Sequence, residues 1–213
     1  MLFRSLLPEA RGYLPLGGRV VLAARLQFGQ MFVQGERGTP ITRRFYLGGP
    51  GSHRGFGFNR LSYQVTSQRI EDQARDCNEK SDCPELLLPV GGDQLLLAQA
   101  ELRVQLFRLF GQWVSAAAFF DAGDVAAPQC VTPSQDAAQI AHDCPRLPYL
   151  GAVDLRRLHL ATGGGLRYKT VVGTLRFDLG VRLNRLDELE PDGVQNPDPG
   201  ARFAYHISIG EAF

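Results

Sequence analysis

The sequence predicts an all-β protein, a transmembrane antiparallel β-barrel of which about seven strands are present. Three observations carry this reading. Apolar residues recur at every second position through long stretches, the connections between those stretches alternate short and long, and no apolar run is long. The longest uninterrupted apolar stretch is about five residues (Val20 to Ala24), against about 20 for a membrane-crossing helix. Helical spans are thereby excluded. The chain has 213 residues, 44% of them apolar, with 24 Gly and 13 Pro. Its mean hydropathy of −0.13 resembles that of a soluble β domain, but a membrane barrel hides its apolar residues at alternate positions and averages out as mildly polar. The net charge of +1 gives no global field for nucleic acid.

The first strand candidate, residues 3–16, is weak because it holds two prolines. Residues 19–32 place Val20, Leu22, Ala24, Leu26 and Phe28 on one face and Arg19, Arg25 and Gln27 on the other. Residues 94–108 oppose Leu96, Ala98, Ala100, Leu102, Val104 and Leu106 to Gln99, Glu101, Arg103 and Gln105. In 113–125, Val114, Ala116, Ala118, Phe120 and Ala122 oppose Ser115 and Asp121. The polar face of 158–169 carries His159, Gly163, Gly165, Arg167 and Lys169. In 174–184, Leu175, Phe177, Leu179, Val181 and Leu183 oppose Arg176, Asp178, Arg182 and Asn184; in 203–213, Phe203, Tyr205, Ile207 and Ile209 oppose Ala204, His206, Ser208 and Gly210.

The short links are 15–18, 109–112 and 170–173, and the long ones 33–93, 124–157 and 185–202. Strict alternation puts all turns at one end and all loops at the other, as in outer-membrane barrels with periplasmic turns and extracellular loops. A soluble sandwich or lipocalin-like barrel has less need of such long, regular strands. Seven is an odd number, whereas bacterial single-chain barrels use even counts, and an open edge in lipid strands backbone groups without partners. Residues 1–8 are too short and broken to be a secretory signal. The expectation is that residues 1–213 are the C-terminal part of a larger barrel, or that strands from other chains complete the sheet.

Four strings stand out: Arg44-Phe45-Tyr46-Leu47-Gly48-Gly49-Pro50-Gly51-Ser52-His53-Arg54-Gly55-Phe56 in the second loop, Phe119-x-Asp121-x-Gly123, Gly163-Gly164-Gly165-Leu166-Arg167-Tyr168, and the final Tyr205 to Phe213. In this order and on these strands they resemble the C-terminal half of the BamA/TamA superfamily of outer-membrane assembly and translocation barrels. Phe45 to Gly49 is similar to the family's F-x-x-G-G lead-in, and His53-Arg54-Gly55-Phe56 to its V-R-G-F/Y motif, with His in place of Val. The resemblance implies a loop folded back into the lumen, its arginine meeting acidic residues on the inner wall. Parity places Glu101 and Asp121 there, so an Arg54–Glu101/Asp121 cluster is expected, with charge-assisted bonds stronger than surface pairs and with Gly51 and Gly55 easing the tight course of the tip. Phe119, Gly123, Gly163 and Gly165 are the wall positions of the match. Tyr205, Ile207, Ile209 and Phe213 fit the C-terminal signal of outer-membrane proteins, from which Glu211 departs.

The four cysteines fall in the long loops and form no C-x-x-C. Pairing within each loop, Cys77–Cys83 and Cys130–Cys144, suits an oxidising exterior, and a pair at the position of the first occurs in some family members. Catalytic readings fail on pattern. Ser52 lacks a G-x-S-x-G frame, Gly163 to Gly165 have no following Lys-Ser/Thr, and His159 and His206 have no third metal ligand. No enzyme, metal or cofactor is expected. The function implied is insertion of client outer-membrane proteins into the outer-membrane bilayer of a Gram-negative-type bacterium, or their translocation, through an openable seam and the lumen loop. The alternatives are a passive pore or structural component built from several short chains, and a polypeptide-secretion pore.

Overall fold

A computed structural model describes residues 2–34, 39–62, 64–66, 87–126, 153, 155, 158–171, 173–184 and 202–210. The strands are β1 (Leu2–Leu6), β2 (Glu9–Gly17), β3 (Val20–Gln34), β4 (Gln64–Thr66), β5 (Leu87–Pro89), β6 (Gln94–Leu109), β7 (Gln112–Ala126), β8 (His159–Thr170), β9 (Gly173–Arg182) and β10 (Phe203–Ile209). One antiparallel sheet runs β1-β3-β6-β7-β8-β9-β10, with β2 also paired to β3, and β4 and β5 pair separately.

β1 and β2 lie end to end on β3. Leu6 opposes Gln30 and Glu9 opposes Gln27, so the register does not slip across the break. Pro8 has no N–H to give the ladder, although its carbonyl still accepts from the Phe28 amide at 3.1 Å. The segment read as one strand over 3–16 is therefore a wall strand interrupted at Leu7-Pro8, and the 8-stranded sheet is a seven-stranded wall. It is open, with β1 and β2 along one edge and β10 along the other. Elsewhere the boundaries differ modestly: β3 runs on to Gln34, and β9 stops at Arg182. The stretch expected as one loop over 33–93 also holds a 3-10 turn, Ile41–Arg43, and the β4–β5 pair.

The turn ends follow from local chemistry. Phe110 and Gly111 take φ of 49° and 79°, the doubly positive pairing that matches the twist of a two-residue hairpin. The two faces separate as alternation demands. Leu26, Phe28, Leu102, Phe120, Leu166, Phe177, Tyr205 and Ile207 are exposed on the outer face, while Gln99, Glu101, Asp121, Arg167, Arg176, Asp178 and His206 are buried on the inner one. An apolar face of this extent is far beyond the scattered surface hydrophobics of a soluble monomer. Ala122 departs from the pattern, being buried although its parity is outward.

What buries the polar face is the loop between β3 and β6. Pro50 accepts from Arg176 on β9 at 3.0 Å, Gly51 from Arg25 on β3 at 2.8 Å, and Ser52 from Gln99 on β6. His53 bonds the carbonyl of His159 on β8 at 2.9 Å, and His206 on β10 bonds the carbonyl of Arg54 at 3.1 Å. At a spacing of about 4.8 Å, a flat sheet would put β3 and β10 some 24 Å apart. Residues 49–56 are folded into turns, with the Ser52 amide donating to Gly49 at 3.2 Å and that of Gly49 to Phe56 at 3.0 Å, so they cannot span that distance. The sheet curls around them.

Candidate functional site

Phe45 to Gly49 deliver the chain into the lumen. Phe45 exchanges backbone bonds with Gly92 at 2.8 and 3.0 Å, and Leu47 with Leu61 at 3.0 Å each way. Gly48 and Gly49 then adopt φ of 104° and 107°, a region that excludes side chains, and a Cβ at Gly48 would strike the carbonyl of Gly57. This course leaves the next residues aimed at the wall.

There Arg54 is fully buried with Glu101 and Asp121. Its Nε and Nη2 donate to Asp121 at 2.9 and 2.7 Å, its backbone N–H donates to the same carboxylate at 2.8 Å, and Nη1 donates to Glu101. The guanidinium also lies 3.7 Å from the centroid of Phe119, a cation–π contact strengthened by desolvation. Burial opposes the charge of Arg54, but Asp121 and Glu101 outweigh it and push its proton affinity up. The network extends along the wall. Glu101 also accepts from Arg103 at 2.8 Å and Arg167 at 3.3 Å, and Asp178 joins Arg167 at 2.5 Å to Arg176 at 2.7 Å. Arg167 and Arg176 are directly opposed on β8 and β9, a like-charge pairing that repels unless a carboxylate such as Asp178 stands between them.

Apart from the His53 bond to the His159 carbonyl, the side chains of the rest of the motif pack. Phe56 joins Leu47, Leu61, Leu95, Leu97 and Val125 in a buried apolar cluster, with edge contacts to His53 at 5.1 Å and His159 at 5.5 Å. His53 is fully enclosed, and burial pushes its imidazole below the ordinary value despite the pull of Asp121. A Cβ on Gly55 would come within 2.5 Å of the Ala161 methyl. The wall glycines make room in the same way. At Gly163 a Cβ would meet the Leu179 carbonyl and, at 2.5 Å, the Phe119 ring; at Gly165 it would meet the Asp178 carboxylate; at Gly123 it would lie 2.9 Å from the Leu96 carbonyl. Phe119, Gly163 and Gly180 form one row across β7, β8 and β9.

Thus His53, Arg54, Gly55, Phe56, Glu101, Asp121, Phe119 and Gly163 gather around the loop tip, whereas Gly123 and Gly165 lie on the wall to either side of it, opposite His159 and Ala117. Tyr205, Ile207 and Ile209 stand apart on the outer face of β10, 75%, 74% and 67% exposed. Phe213, Glu211 and all four cysteines, Cys77, Cys83, Cys130 and Cys144, lie outside the described residues. Parity alone did not single out Gln99, Arg176, Asp178, His206 or Gly180, whose Cβ would strike the Arg54 carbonyl. It also missed the apolar half of the inner face. The signal was there: Leu95-Leu96-Leu97 breaks the period-two pattern, as a strand covered on both faces does. Among the described residues no cluster of three metal-ligating side chains occurs.

A model of the Omp85 superfamily domain matches residues 3–213. Among solved structures, BamA from Haemophilus ducreyi lacking POTRA domains 1–3 is similar, with a TM-score of 0.62 at 20% identity, covering 95% of this chain and 34% of that one. The chain thus spans about a third of the length of that crystallised chain. No curated protein matches.

Proposed function

The chain belongs to the Omp85 superfamily, and on that premise we propose that it serves as wall and lumen loop of a BamA/TamA-type barrel that inserts client proteins into the outer membrane of a Gram-negative-type bacterium, or helps to translocate them. The observation that carries the reading is the buried Arg54, which ties the loop tip to β6 and β7 through Glu101 and Asp121. A plugged lumen suits a device that works at its sheet edge better than an open conduit. The edge in question is β10, paired on one side with β9 over residues 203–209 and able, as any edge strand is, to template another strand through its free backbone groups. Strands supplied by further residues or other subunits, on this reading, complete the sheet, and the lipid bilayer and client proteins are the partners. The work needs neither cofactor nor catalytic residue.

The test is client insertion into proteoliposomes by the chain, together with whatever strands complete its barrel, against Arg54→Ala. The expected outcome is slower insertion together with protease access to residues 49–61. Unchanged insertion and unchanged loop protection would refute the role of Arg54. Ion conductance without client insertion would favour the passive pore, and release of a soluble polypeptide across the membrane would favour the secretion pore.

A further inference from the structure

The three short-turn hairpins carry an uneven charge that the loop network uses only in part. Residues 14–21, 103–115 and 165–176 contain Arg19, Arg103, Arg108, Arg167, Lys169 and Arg176 and no Asp or Glu, although the whole chain is only +1. Arg103, Arg167 and Arg176 are held by Glu101 and Asp178. Arg19, Arg108 and Lys169 are exposed, and among the described residues none of them has an ion pair.

Register decides which way these cations face. Arg103 opposes Ala117 and Arg108 opposes Trp113; Arg167 opposes Ser115 and Lys169 opposes Thr174. Directly opposed residues share a face, and Arg167 with Ala117 belongs to the buried inner one. The outer face at the same height is apolar, with Leu16, Phe107, Leu109 and Leu175 exposed. The guanidiniums of Arg108 and Arg19 lie 4.7 and 5.5 Å from the Trp113 ring centroid, so both are held at the rim before any ligand arrives. Such positioning lowers the ordering cost of binding, and a guanidinium fork matches a carboxylate in two-point geometry.

We propose that the short-turn mouth of the lumen binds an acidic polypeptide segment through Arg19, Arg108 and Lys169. A lipid headgroup is the poorer fit, because the cations face the lumen while the lipid-side neighbours are apolar. A run of carboxylates on an extended chain can enter the mouth and meet cations from three hairpins in succession. The proposal does not depend on whether the barrel assembles or secretes proteins.

Trp113 is the only tryptophan of the chain, so its emission reports on the mouth directly. The full chain in phosphatidylcholine nanodiscs at low salt is titrated with unlabelled decaglutamate. A saturable emission change is expected, weakened about tenfold by Arg19→Gln/Arg108→Gln/Lys169→Gln and unaltered by Arg4→Gln, which removes a charge from β1 at the opposite end of the sheet. Equal protection of residues 49–61 from protease in all three proteins shows that the fold is intact. No emission change overturns the proposal, as does an equal affinity in the triple variant. An equal response to inorganic phosphate would mean an adventitious ion only, and a response confined to nanodiscs containing phosphatidylglycerol would make the site one for lipid; either refutes it.

Discussion

Replacing Arg54 by methionine keeps a flexible side chain against Phe119 and removes the charge from between two buried carboxylates. Breaking a buried pair by deleting one partner costs about 3–5 kcal/mol. The surroundings place this case near the lower end of that range. Asp121 keeps the Arg54 backbone N–H at 2.8 Å and Gln99 Nε2 at 3.1 Å, and Glu101 keeps Arg103 and Arg167. A loss of about 3 kcal/mol weakens loop docking by somewhat more than 100-fold. Native-state hydrogen exchange reads it out. The amides of Leu47, Gly49, Phe56 and Leu61, bonded only when the loop is folded, lose protection by that factor, while the β6–β7 ladder does not change. The triple variant Arg54→Met/Glu101→Gln/Asp121→Asn recovers part of the loss on Asp121, because a neutral, satisfied site replaces an unpaired charge. A change below fivefold in Arg54→Met, or no difference between the single and triple variants, would show that packing and not the ionic cluster holds the loop.

Other perturbations separate the remaining contributions. Gly180→Ala sets a methyl against the Arg54 carbonyl, a backbone atom that cannot rotate away; it costs about 1–3 kcal/mol and opens residues 49–61 to protease, whereas Gly12→Ala, with open space around it, does not. Acidification loosens the loop. The buried His53 has a lowered proton affinity, so below about pH 6.5 an undocked loop takes up a proton that the docked one excludes, and stability present above that pH falls away as the pH drops; protection of the same amides, relative to their intrinsic exchange at each pH, falls between pH 7.5 and 5, and His53→Gln flattens that dependence. The cysteine pairing remains a proposal: non-reducing peptide mapping is expected to find Cys77–Cys83 and Cys130–Cys144, and alkylation of any of the four without reductant would count against it.

The wall was legible in the sequence because lipid on one side and a polar interior on the other impose a period of two that no helix reproduces. Thr174 to Asn184 alternates without a fault, and the structure buries Arg176 and Asp178 and exposes Phe177 and Leu179 accordingly. The Arg54 cluster was legible for a second reason. Parity placed the acidic Glu101 and Asp121 inward on neighbouring strands, where they need a cation, and the family resemblance implied that Arg54 supplies it. What parity could not give is depth along the lumen. Gln99 and Gln105 share a face with Glu101, but only Gln99 lies under the loop tip, because the tip's height depends on how residues 39–49 are folded. The same ignorance hid Leu95 and Leu97, whose inward side is apolar only because Phe56 covers it. Gly180 looked like an ordinary strand glycine; its need for an absent side chain arises from a backbone more than 120 residues away.

The geometry of the tip bears on how an open sheet holds its curvature. A closed barrel is shaped by its own ladder, since every strand has two neighbours. Among the described residues β10 and the β1–β2 strand each have one, so within this chain edge pairing is not what bends the wall. The curvature is held from inside, where Pro50 to Arg54 reach β3, β6, β7, β8, β9 and β10 through Arg25, Gln99, Asp121, His159, Arg176 and His206. If that is the physical role of the loop, the contact to β10 is the informative one. His206→Ala removes the link between the tip and the edge strand without touching Arg54's ion pairs. It should raise exchange in the β9–β10 ladder and leave β6–β7 as it was. Unchanged exchange in the β9–β10 ladder would show that β10 is held by its pairing with β9 alone, and that the plug and the edge are energetically independent.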